Sequence, residues 1–138
     1  MPAEFSDRCD AIEECYEFML AYAAQGVSSG DGSHPSGRIR EILQHAADSL
    51  SGLPDACATM LTDGALEPAD KYLAFFAVID RDRRDALAAI ELALAQHSIS
   101  SQMIDNLNAS VHLRALLTDL FLLTDFAQQD TGAAIARP

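Results

Sequence analysis

Residues 39–60, IREILQHAADSLSGLPDACATM, decide the fold class. Ile39, Leu43, Ala46, Leu50, Leu53, Cys57 and Met60 recur in alternating steps of four and three, the seam of an α-helix packed on other helices. Pro54 falls inside this run, but the seam keeps its phase across it. The reading is therefore one kinked helix, opening near Ser36 as an N-cap and ending at Asp63–Gly64. The alternative is a break at Ser51–Gly52, with Pro54 opening a new turn.

Upstream, Phe5, Cys9, Ile12, Tyr16, Met19 and Ala23 repeat the same steps and predict a helix from near residue 3 to Gly26. Residues 27–37, VSSGDGSHPSG, read as the one long loop. Downstream, a third helix is expected from Glu67–Pro68 to about His97, with Leu73, Phe76, Leu87, Ile90 and Leu94 as its seam. Asp80 and Arg83 interrupt that seam. A fourth helix should begin near Ser98–Ser101 and reach about Gln128, with Met103, Ile104, Leu107 and Val111 as an ordinary stripe. From Leu113 the sequence LRALLTDLFLLTDF is apolar on most of the helical circumference. The links near residues 65 and 98 are short, which forces antiparallel neighbours. The expected fold is all-α, an antiparallel up-down-up-down four-helix bundle of long helices. It forms one domain over 1–128, with a frayed tail over 129–138.

Composition narrows the setting. A chain of 138 residues, 49% apolar, can bury a core without disulfide or metal staples. Its net charge of −12 repels nucleic acid and anionic membranes, so neither is expected as a partner. The longest apolar run, Leu73–Ile79, is far too short to span a membrane, and MPAEFSDRCD lacks the pattern of a secretory signal. Cys9, Cys15 and Cys57 have no zinc-type spacing and are odd in number. Reduced thiols and a cytoplasmic setting follow.

Three groups of residues bear on function. Leu113, Leu116, Leu117, Leu120, Phe121, Leu122, Leu123 and Phe126 offer more apolar surface than one bundle core needs, which suggests a homodimer face or a groove for a protein partner. Asp80 and Arg83 on the apolar phase suggest a polar layer, in which Arg83 or Arg114 meets Asp80, Asp119 or Asp125 across the bundle, or else a grip on a small anion. Glu41, His45, His97 and His112 are the candidates for a metal, although the Glu-x-x-His of di-iron bundles is missing. His45, in LQHAADSLSGL, is similar to the exposed helix histidine of histidine phosphotransfer domains. Asp48 and Ser49 stand where those domains place lysine and glycine, and a carboxylate one turn from a phosphohistidine is electrostatically wrong. No nucleophile elbow or phosphate cradle is present, and no cofactor is implied. The leading expectation is a non-enzymatic helical interaction protein, an adaptor, assembly factor or regulator that self-associates through its last helix. The alternative is a bundle that binds a small ligand or metal.

Overall fold

The computed structural model describes the backbone of residues 3–25 and 34–136 and the side chains of 3–24 and 37–129. Six helices stand where the seams predict four: α1 (Ala3–Gln25), α2 (His34–Ser51), α3 (Leu53–Asp63), α4 (Ala69–Leu94), α5 (Ser101–Ala109) and α6 (His112–Ala136). No strand occurs among the described residues. α1 packs against α2, α3, α5 and α6, and α4 packs against the same four; α1 and α4 do not meet among the described residues.

The 39–60 seam is buried throughout, none of its seven residues more than 4% exposed. It nevertheless belongs to two helices rather than one kinked helix. Gly52 lies between α2 and α3, and Pro54 sits in the first turn of α3, where its missing N–H costs nothing. Arg8 explains the position of the break. Its Nη1 donates to the carbonyls of Asp48 (3.3 Å) and Ser49 (3.2 Å), which α2 leaves unpaired at its end. A β-carbon at residue 52 would run into the Arg8 guanidinium, so glycine makes the room. At the other end α2 is already helical at His34, two residues before the expected cap at Ser36. The rest of the expected 27–37 loop, up to residue 33, lies outside the described residues.

The expected fourth helix also divides. Ser100 caps α5 by accepting from the Met103 N–H at 3.1 Å. The chain then turns at Val111, whose φ of 61° lies in the left-handed region. Val111, expected on the apolar stripe, is thereby half exposed. The turn re-aims α6 so that Leu113, Leu116, Leu120, Leu123 and Ala127, again in three-four steps, enter the core. α6 also runs on to Ala136, through most of the tail expected to fray.

Two side chains tie the ends of the helices together. Arg40 of α2 donates to the carbonyls of Leu94 (3.1 Å), Gln96 (2.6 Å) and His97 (2.9 Å), satisfying the C-terminus of α4. The buried Tyr22 hydroxyl donates to the Ile99 carbonyl at 2.7 Å and anchors the link before α5. On α4 the buried ridge is Tyr72, Ile79, Ala86, Ile90 and Ala93. That ridge is rotated from the expected seam: Leu73 is 55% exposed, and Phe76, Leu87 and Leu94 are half-buried.

Candidate interaction face

Five of the eight apolar residues expected to form an interface on the last helix are core. Leu113, Leu116, Leu117, Leu120 and Leu123 are buried within the single chain, at 6% exposure or less. α1 and α4, which both pack on α6, supply the cover that a second copy was expected to give. Phe121, Leu122 and Phe126 remain exposed, and they do not form one patch. Phe121 lies beside Phe5 and Cys9 of α1. Phe126 leans the other way, its ring meeting that of Phe75 of α4 edge-on at 6.3 Å.

A contiguous face emerges only when α4 and α6 are taken together. Along α4, Lys71, Phe75, Val78, Asp82, Asp85 and Ala89 follow in four-three steps; along α6, Ala115, Asp119, Leu122, Phe126 and Gln129 do the same. Phe75 touches Phe126, and Asp82 hydrogen-bonds Asp119. Each pair is separated from the other by seven residues on both helices, in opposite directions, so α4 and α6 run antiparallel with Val78 level with Leu122 and Leu123. The middle of this face is apolar and open, with Val78 46%, Leu122 41% and Phe126 45% exposed. At one end, Glu67, Lys71, Phe75, Phe126 and Gln129 frame an open cleft of 380 Å³. Lys71 is the one lysine of the sequence.

The other end is acidic in an unusual way. Burial, then the hydrogen bond with Asp82, then the charge of Asp82 push the Asp119 carboxyl up to about 7. Asp119 Oδ2 is buried without a hydrogen-bond partner. Near neutral pH the Asp119 carboxyl thus holds a proton beside Asp82. Asp82 was not singled out from the sequence, where it reads as one charge in DRDRRD; the four-three spacing from Phe75 and Val78 was the signal that marks it.

The remaining candidates disperse. Asp80 and Arg83 pair with each other on α4, Arg83 Nε and Nη2 donating to Asp80 Oδ1 at 3.0 and 2.8 Å, rather than reaching across the bundle. Arg114 and Asp125 are exposed on α6. Glu41 and His45 line an open groove with Arg40, Gln44 and Asp48, while His97 and His112 are exposed on other elements. No three His, Cys, Asp or Glu side chains are placed to hold a metal among the described residues. Burial above all pushes the Cys9, Cys15 and Cys57 thiols up to about 12, so they stay protonated and weakly nucleophilic at neutral pH. No described helix is long and apolar enough to cross a membrane. No family model matches the chain, and comparisons with curated proteins and with solved structures return no match.

Proposed function

We propose that this chain is a helical interaction protein that pairs with a second copy of itself through the outer α4–α6 face. The observation that carries the proposal is the self-complementary order of that face. A twofold axis crossing both helices midway between Phe75 and Val78 is also midway between Lys71 and Asp82. By the α4–α6 register, the same axis passes within half a residue of the midpoint between Leu122 and Phe126. One operation therefore sets Phe75 on Val78, Leu122 on Phe126, and each Lys71 against the acidic end of the other copy. The apolar centre supplies the attraction and the charged ends set the register. Three unpaired cysteines suit a reducing compartment such as the cytoplasm, where a dimer of this kind would serve as an adaptor, assembly factor or regulator. The architecture that accompanies this reading is an antiparallel set of four rods, with α2–α3 and α5–α6 each acting as one broken rod.

The test is molar mass by light scattering over a concentration series. The native chain should move from 14.8 kDa toward twice that value as concentration rises. Leu122→Glu and Val78→Glu should each hold it at the monomer mass while leaving the helical circular dichroism intact. Lys71→Asp should weaken pairing, and Lys71→Asp combined with Asp82→Lys should restore it. A native monomer at every concentration, or a dimer indifferent to these changes, overturns the proposal.

A further inference from the structure

On the flank of α4 turned away from α6, the core is incompletely filled. α3 is only 11 residues long, and between it and α4 lies a cleft of 240 Å³. Its walls are Leu53, Cys57 and Leu61 of α3 and Leu73, Phe76 and Ile79 of α4. Leu73 and Phe76 are two of the five seam residues that the sequence places in the core, and here they edge an open space instead.

Asp80 and Arg83 stand at one end of this apolar cleft. Asp80 pairs with Arg83 at 2.8 Å through Oδ1 and with Arg84 at 3.2 Å through Oδ2, so two guanidiniums meet one carboxylate. The Arg83 side chain is only 14% exposed, yet its bonds to Asp80 use Nε and Nη2 alone. Nη1 has no partner among the described residues, and it is not among the buried polar atoms left without one, so it remains reachable. An apolar slot with one fixed, partly desolvated cation at its end is the arrangement that binds an amphipathic anion.

We propose that the α3–α4 cleft binds a small straight-chain monocarboxylate, its chain among Leu61, Leu73 and Phe76 and its head on the free edge of the Arg83 guanidinium. The cleft is small, 240 Å³, which favours a short chain over a long one. The carboxylate head meets the Nη1 edge, and Asp80 keeps the guanidinium plane in place.

The experiment titrates octanoate, octan-1-ol and acetate into the full chain, followed by calorimetry and by amide shifts. The Leu122→Glu variant is run in parallel, so that the result does not depend on pairing through the α4–α6 face. Octanoate should bind one per chain, with shifts at Leu61, Leu73 and Phe76; octan-1-ol should bind about tenfold more weakly, and acetate should not register. Arg83→Met should remove the preference for octanoate while octan-1-ol still binds, and Ala58→Phe, at the cleft wall, should abolish both. Equal affinity for octanoate and octan-1-ol in the native chain, shifts centred elsewhere, or binding that survives Ala58→Phe would overturn the proposal.

Discussion

The proton that the folded chain holds on Asp119 should write itself into the stability of the fold. In the unfolded chain the Asp119 carboxyl titrates near 3.8, and in the folded chain near 7. Between those values the folded state holds a proton that the unfolded state has lost, so stability falls as pH rises from about 4 to about 7 and is level above that. A shift of about three units has a ceiling of ~4 kcal/mol at about 1.4 kcal/mol each, and because water reaches part of the pair we expect about 1–2 kcal/mol. Asp119→Asn supplies a permanent N–H donor to Asp82 and cannot ionise. It should therefore match the native chain near pH 5 and exceed it by about 1–2 kcal/mol at pH 8. Urea unfolding at pH 5, 6, 7 and 8, at one fixed protein concentration, measures this directly. The difference between the two proteins removes the general effect of charge repulsion in a chain of net charge −12. A variant that parallels the native protein at every pH would show that Asp119 holds no extra proton in the folded chain and would refute the raised pKa.

Arg40→Met should cost about 1–3 kcal/mol in thermal or urea unfolding, because it strips three hydrogen bonds from the carbonyls of Leu94, Gln96 and His97; a neutral result would mean that water caps α4 equally well. Val111→Asn should raise stability by about 0.5–1 kcal/mol, since asparagine tolerates the left-handed backbone that a β-branched residue resists. Val111→Ile should give no such gain, and a gain in both would point to packing instead. Leu116→Ala should cost about 2–5 kcal/mol, against under ~1 kcal/mol for Phe126→Ala measured on the monomer, because the first opens a cavity and the second trims a side chain 45% exposed. Similar losses at the two positions would contradict the division of α6 into core and outer face.

The sequence by itself determined that the chain is helical and which positions of α2 and α3 turn inward; on α1 it placed half of them, since Cys9, Tyr16 and Ala23 of the expected seam are half-buried while Cys15 and Tyr22 are core. Phe5, Ile12 and Met19 and the whole 39–60 seam are buried as their spacing requires, because helix period and hydrophobic burial are both local to the chain. Where a helix stops is less local. Pro54 is visible in the sequence, but the break at Gly52 depends on the Arg8 guanidinium arriving from another helix to take the carbonyls of Asp48 and Ser49. The turn at Val111 has no glycine or proline to announce it, and it exists because α6 must present Leu113, Leu116 and Leu120 to the core. The excess of leucine after residue 112 is legible as surplus apolar surface, but only packing shows that α1 and α4 absorb most of it. The candidate face is written across two helices, in pairs far apart in the chain, Phe75 with Phe126 and Asp82 with Asp119. No periodicity within one segment registers a second one, and so the tertiary structure alone decided which side chains meet, which carboxyl is pushed up by burial and which apolar groups remain in water.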